Sequence, residues 1–234
     1  MGDKMRLLIM IPAYNEEKNI QRVVDNLKKN YSQYDYLVIN DGSRDQTLDI
    51  CKRNAYNYIN IPVNIGLSGA VQAGMKYASL QNYDAALQYD GDGQHDPEYI
   101  SKLLTTMEQD DADIVIGSRF ISSRKKHTLR MLGSDVIQVL IKLTTGQRIT
   151  DPTSGMRLYR KKILDEIAWN INCGPEPDTI SYLIRGGVKV VEEQVEMHER
   201  TAGESYLNFA RSIGYMIHMC ISIIFIQWFR KRGF

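Results

Sequence analysis

The sequence predicts an α/β protein with an open, mostly parallel central sheet and helices on both of its faces. Three observations carry this. Short apolar runs alternate with amphipathic stretches over the first 120 residues, the connections between them are brief, and polar clusters recur directly after the apolar runs.

Taken in order, "RLLIMIPA" (6–13) is a continuous apolar run ending in proline, the pattern of a strand buried on both faces. From Glu16, "EEKNIQRVVDNLKK" places Ile20, Val23, Val24 and Leu27 on one helical face. "YDYLVIND" (34–41) is the next strand, stopping at Asp41-Gly42-Ser43, and "SRDQTLDICKRNA" follows as a helix with a polar start. "YNYINIP" (56–62) reads as a short strand, and "NIGLSGAVQAGMKYA" (64–78) as a glycine-rich turn running into a small-residue helix. "YDAALQYDGD" (83–92) is a strand, Pro97-Glu98 opens a helix to about Gln109, and "ADIVIGSR" (112–119) is a strand. Beyond 120, "ISSRKKHTLR" is a basic loop and "MLGSDVIQVLIKLTTG" is helical. "ITDPTSGMRLYRKKI" returns to a turn and a short strand, and "YLIRGGVKVVEEQVEMHERTAGES" supplies a glycine turn, an edge strand and a polar loop.

Several function classes drop out. A formal charge of +1, from 29 basic against 28 acidic residues, carries no polyanion-binding signature, so no nucleic-acid partner is expected. Three cysteines without a CxxC pair fit a reducing compartment better than a disulfide framework or a zinc site. The N-terminus lacks the order of a signal peptide, and its apolar run reads as the first strand. The glycines at 66, 69 and 74 do not have dinucleotide spacing, and there is no Walker A sequence, G-x-S-x-G elbow or H-E-x-x-H.

Ligands of open parallel sheets collect beyond the C-terminal ends of the strands. Tyr14-Asn15-Glu16, Asp41-Gly42-Ser43, Asp90-Gly91-Asp92 and Gly117-Ser118-Arg119 all follow predicted strands, and four clusters on one edge make a site. Asp90 and Asp92 share a face if the strand continues. If it turns, Gly91 and Gly93 let both carboxylates fold toward one cation. Such a set, with Gln94 adding an oxygen, suits Mg²⁺ or Mn²⁺ shared with phosphate oxygens. A plain surface turn and a structural calcium loop are the alternatives. Arg119, Arg130 and Arg200 lie outside the strands, where each can offer a bidentate phosphate fork. Asp151 can orient an arginine or a sugar, or cap a helix from an Asp-Pro turn.

"IPAYNEE", "VINDGSRDQT", "NIGLSGAVQAG", "YDGDGQHDPE", "GSR", "TDPTSGMRLYR" and "ERTAGES" occur in the order seen in family 2 glycosyltransferases of the GT-A fold. The chain resembles the dolichyl-phosphate mannose synthase branch, which includes bacterial polyprenyl-phosphate glycosyltransferases, over residues 6 to about 207. The resemblance implies that Pro12, Ala13, Tyr14, Glu16 and Asp41 cradle the nucleoside of a nucleotide-sugar donor. It implies that Asp90, Asp92 and Gln94 hold a divalent ion on the diphosphate, with Ser118 and Arg119 near the reacting phosphates. Arg130 and Ser134 match the pair that takes the lipid phosphate; Arg200 and Ser205 match the late loop that closes on both substrates. Two features depart from the usual pattern: the metal run carries glycine at both 91 and 93, and Tyr206 replaces a lysine.

The chemistry implied is inverting transfer from a nucleotide sugar, UDP-glucose or UDP-N-acetylglucosamine by resemblance, to undecaprenyl phosphate for cell-envelope glycan synthesis. The runner-up is transfer to a glycan hydroxyl with Asp151 as base, and a third reading is an inactive sugar-nucleotide binder.

A GT-A catalytic domain over 1–207 is then followed by an apolar, membrane-associating appendage over 208–234. Its stretch 212–229, "SIGYMIHMCISIIFIQWF", reaches about 27 Å as a helix, short of a hydrocarbon core of roughly 30 Å. A span would leave Arg230, Lys231 and Arg232 cytoplasmic and the catalytic domain on the other side, away from nucleotide sugar. The expectation is therefore a peripheral or monotopic helix on the cytoplasmic face of the plasma membrane, completed by a small integral membrane partner. A helix docked on the core or at a homo-oligomer seam is the alternative.

Overall fold

The computed structural model describes residues 5–123, 129–170, 174–198 and 209–226, the backbone alone being described at 129–132, 209–213 and 226. Arg200 and Ser205 lie outside the described residues, as does the basic tail from 227; Arg130 is described by its backbone only.

Among the described residues the chain runs β1 (Leu7–Ala13), α1 (Ile20–Asn30), β2 (Asp35–Asp41), α2 (Thr47–Arg53), β3 (Tyr58–Ile61) and α3 (Gly66–Leu80). It continues through β4 (Ala85–Gln88), α4 (Ile100–Gln109), β5 (Ile114–Ser118), α5 (Leu129–Thr145) and β6 (Arg157–Arg160). The last elements are α6 (Lys161–Trp169), α7 (Pro177–Arg185), β7 (Val190–Gln194) and α8 (Phe209–Ile221), the last leading into a π-helical turn at Ser222–Ile226. The seven strands form one sheet in the order β3-β2-β1-β4-β6-β5-β7. All neighbours are parallel except β6, which runs antiparallel to both β4 and β5.

The apolar runs explain the centre of this sheet. Six of the seven β1 residues are buried, because helices cover both faces and no alternation with solvent is possible. One face packs on α1, α2 and α4, with Ile20, Val23, Val24 and Leu27 of α1 all buried as their spacing requires. The other face packs on α3, α5, α6, α7 and α8. The small residues Ala70, Gly74 and Ala78 of α3 let that helix lie close on the sheet; a Cβ at Gly74 would come within 2.8 Å of Ile39 and Met10.

The antiparallel strand positions the site. Since β6 begins at the edge where its neighbours end, the segment 150–156 before it is delivered to the C-terminal ends of β1, β2, β4 and β5. Arg157 opposes Gln88 on one side and Ile116 on the other, and is 1 % exposed.

The C-terminal helix differs from the expected apolar membrane appendage. Met219 and Ile223 enter the main core, Ser222 Oγ donates to Asp178 Oδ2 at 2.6 Å, and α8 crosses α5 where Gly133 leaves room for Met216. Burying those side chains against α5 and α7 satisfies one face of the segment, which sequence hydropathy alone does not separate from burial in lipid. Among the described residues no helix is long and apolar enough to cross a membrane.

Candidate active site

The first side of the site is made by two loops laced to each other. After β1, Asn15 takes a positive φ of 57° and its N–H donates to Ser43 Oγ, while its Oδ1 accepts from the Arg44 N–H at 2.8 Å. The Glu16 N–H donates to Thr47 Oγ1 at 2.8 Å, and the Glu16 carboxylate accepts from Asn19 Nδ2 at 2.7 Å. Asp41, buried at the end of β2, accepts from the Ile65 N–H at 2.8 Å and from Asn64 Nδ2 at 2.9 Å. It therefore pins the loop before α3. Gly42 is required there: its φ is +63°, and a Cβ would lie 2.5 Å from the backbone nitrogen of Asn64. Pro12, Ala13, Tyr14, Glu16 and Asp41 thus stand together at the C-terminal ends of β1 and β2.

β4 stops at Gln88, so Asp90 and Asp92 stand in a turn and not on a strand. The Gln94 N–H donates to Asp92 Oδ1 at 3.1 Å, folding the turn on itself. His95 Nε2 lies 3.2 Å from Asp90 Oδ2, and Gln88 Nε2 approaches Asp90 Oδ1 at 3.4 Å. Burial raises the Asp90 carboxyl, but His95, Gln88 and the buried Arg157 outweigh it and hold the group below its ordinary value. The carboxylate packs into the space that Gly155 leaves; a Cβ there would sit 2.2 Å from Asp90 Oδ2.

Two carboxylates and an amide within five residues are an oxygen donor set of the type a hard divalent cation takes. Gln94 is the weaker member, since its Nε2 reaches the carbonyl of His198 at 3.4 Å. Among the described residues no group of three or more His, Cys, Asp or Glu could hold a metal by itself. The set fits an ion whose shell is completed by substrate oxygens.

Asp151 and Arg119 meet across the edge. Arg119 Nε donates to Asp151 Oδ2 at 2.7 Å and Nη2 to Oδ1 at 2.9 Å, with Asp151 fully buried. Burial alone would lower the Arg119 pKa, but the carboxylate raises it above its ordinary value. Glu192 of β7 holds the Asp151 loop in place, accepting from the N–H groups of Thr150 and Asp151 and from Thr150 Oγ1. Ser118 is buried and shares a hydrogen bond of 2.7 Å with Thr150 Oγ1.

A cavity of about 410 Å³ opens beside these groups. Asp90, Arg119 and Ser134 line it, while Asp92 and Asp151 are not among its walls. Gln88, Glu176 and Tyr215 also line it, and sequence reasoning missed all three. Two of them carried a signal: Gln88 is a polar residue closing an apolar strand, and Glu176 stands between two prolines at the start of α7. Tyr215 belongs to the more polar face of the apolar C-terminal stretch, with Ser212, His218 and Ser222, a pattern that says nothing of a cavity.

The glycosyl transferase family 2 model matches residues 8–168. An undecaprenyl-phosphate mannosyltransferase of Micrococcus luteus is 31 % identical over 216 residues, covering 87 % of this chain and 88 % of that protein. A UDP-N-acetylglucosamine–dolichyl-phosphate N-acetylglucosaminyltransferase of Methanococcus voltae is 34 % identical over 184 residues, 70 % of this chain and 72 % of that one. Among solved structures, a mannosyltransferase of Pyrobaculum calidifontis in complex with GDP-Man and Mn²⁺ superimposes with a TM-score of 0.68, covering 99 % of this chain and 67 % of that one. At 13 % identity that likeness shows the fold. With the family model matching well over half of its length, the chain belongs to glycosyl transferase family 2.

Proposed function

We propose that the protein is an inverting, metal-dependent glycosyltransferase that moves a hexose or N-acetylhexosamine from a nucleotide-diphosphate sugar to a polyprenyl phosphate. The observation that carries this reading is the state of Asp151. A hydroxyl acceptor needs a base, and Asp151, the acid the sequence offers for that task, is fully buried with both oxygens on Arg119. A phosphate acceptor is already ionised and needs none. The names of the relatives support the same class, since each pairs a sugar with a polyprenyl-type phosphate. Their sugars differ, which leaves the donor to experiment.

The loops at Tyr14–Glu16 and Asp41–Ser43 would hold the nucleoside, and Asp90, Asp92 and Gln94 would hold the divalent cation. When bound, Mg²⁺ or Mn²⁺ would neutralise the diphosphate as it leaves. Arg119, fixed in direction by Asp151, would add a preorganised positive charge beside the reacting phosphates. Ser134 opens on the cavity from α5, one helical turn from Arg130, where a lipid phosphate would be held in line with the anomeric carbon. An oxygen of that phosphate forms the new bond to the anomeric carbon. The bond to the diphosphate breaks with its electron pair, and no proton is transferred.

The acceptor places the reaction at a membrane, on the cytoplasmic side where nucleotide sugar is found, and two helix faces suit that. Val136, Val139 and Leu143 of α5 are exposed at helical spacing, as are Ile217 and Ile221 of α8, with Phe225 beyond them. An apolar stripe of this kind on packed helices lies in the lipid headgroup boundary without spanning it.

The test is product analysis. Purified protein with lipid vesicles carrying undecaprenyl phosphate, Mg²⁺ or Mn²⁺, and UDP-glucose, UDP-N-acetylglucosamine or GDP-mannose should yield a lipid monophosphate sugar identified by mass. No lipid product from any donor would overturn the reading.

A further inference from the structure

Glu176 begins α7 between Pro175 and Pro177, and all three line the cavity on which Asp90 opens. Tyr215 of α8 donates its phenolic hydrogen to Glu176 Oε2. Burial and the neighbouring Glu176 charge push that phenol far above its ordinary range, so it stays a donor.

The Glu176 carboxylate therefore stands in the wall of a cavity that the Asp90 carboxylate also lines. Among the described residues that line it, Arg119 is the one cation, and it is closed on Asp151. A phosphate seated against Glu176 would meet repulsion. A ring carrying several hydroxyl groups would donate to it instead, and the volume suits a monosaccharide.

We propose that Glu176, held in direction by Tyr215, is the residue that selects the donor's sugar by accepting hydrogen bonds from its ring hydroxyls. This rests on the transferase reading above and names the sugar-selecting end of that site. It gives the C-terminal helix a role in the chemistry. Tyr215 and Met216 form part of the sugar pocket wall, and Met216 is seated on Gly133 of α5, so the helices that present the apolar stripe also hold Glu176 in place.

The variants Glu176→Gln and Tyr215→Phe test it in the full chain, with the donor the wild-type protein uses and undecaprenyl phosphate in vesicles. Glu176→Gln should raise the donor KM by about tenfold or more and narrow the preference between epimeric donors. Its affinity for UDP or GDP, which lack the sugar, should stay at the wild-type value and so report an intact fold. Tyr215→Phe should shift KM in the same direction and by less. An unchanged KM and epimer preference would overturn the assignment, as would an equal loss of UDP or GDP affinity. A fall in kcat at unchanged KM would also overturn it, by making Glu176 a proton acceptor. Absence of product from the wild-type protein would overturn the transferase reading and this assignment together, whereas the variant outcomes bear on Glu176 alone.

Discussion

Arg119 and Asp151 form a bidentate pair, 2.7 Å and 2.9 Å, that joins the end of β5 to the loop entering β6. Asp151 is fully buried while Arg119 is partly open to solvent, so removing the carboxylate costs about 1–3 kcal/mol, the loss of a charged hydrogen-bond partner. Asp151→Asn should therefore lower the unfolding midpoint clearly and weaken transfer by misdirecting Arg119. Urea unfolding beside turnover checks both. Loss of turnover at unchanged stability would instead make Asp151 the base of a hydroxyl-acceptor enzyme.

Gly155 exists for Asp90. A methyl group at 155 would sit 2.2 Å from Asp90 Oδ2 and 2.9 Å from its Cγ, so the carboxylate must move. Gly155→Ala should weaken Mn²⁺ binding in the presence of UDP by about tenfold or more while the fold survives. Electron paramagnetic resonance of free Mn²⁺ during titration reads this without any turnover. Wild-type affinity would detach Asp90 from the metal.

Asp92→Asn should abolish metal-dependent transfer, and Asp90→Asn should be nearly as severe. Both lie beyond β4 and outside the apolar core clusters, and Asn keeps the shape of Asp, so circular dichroism should stay native. Turnover measured across a metal titration decides it. Near-normal rates at the wild-type metal concentration would return these acids to an ordinary turn.

The apolar stripe is best probed by points and not by truncation. Removing the chain from Ser212 would strip Met219 and Ile223 from the core and confound binding with unfolding. Val139→Glu with Ile217→Glu replaces exposed side chains, 54 % and 56 % accessible, and should leave stability within about 1 kcal/mol. Co-sedimentation with anionic vesicles should fall several-fold. Unchanged sedimentation would remove these faces from the membrane.

The sequence made the sheet legible wherever burial was two-sided. β1, β2 and β5 are short apolar runs with no helical alternative, and the polar clusters after them mark the edge they share. Strand direction was not legible: "RLYR" reads as a strand either way, and its reversal depends on tertiary pairing with Gln88 and Ile116. The reversal is also what brings Asp151 to Arg119 and Gly155 to Asp90. The helices α6 and α7 are short, nine residues each, and although Ile163, Leu164, Ile167 and Ile180, Leu183 have helical spacing, two turns of it are a weak signal. Glu176 was lost with them. The apolar C-terminal stretch gave its hydropathy but not its partner, since lipid and a protein core make the same demand on Met219 and Ile223.

The central claim is that the acceptor is a phosphate. Undecaprenyl phosphate and the matching polyprenol, identical but for that group, should be offered in parallel vesicles with the donor the protein uses, and the lipid products weighed. The first should yield a sugar monophosphate-lipid with inverted anomeric configuration, and the second nothing. Transfer to the polyprenol at a comparable rate would contradict it.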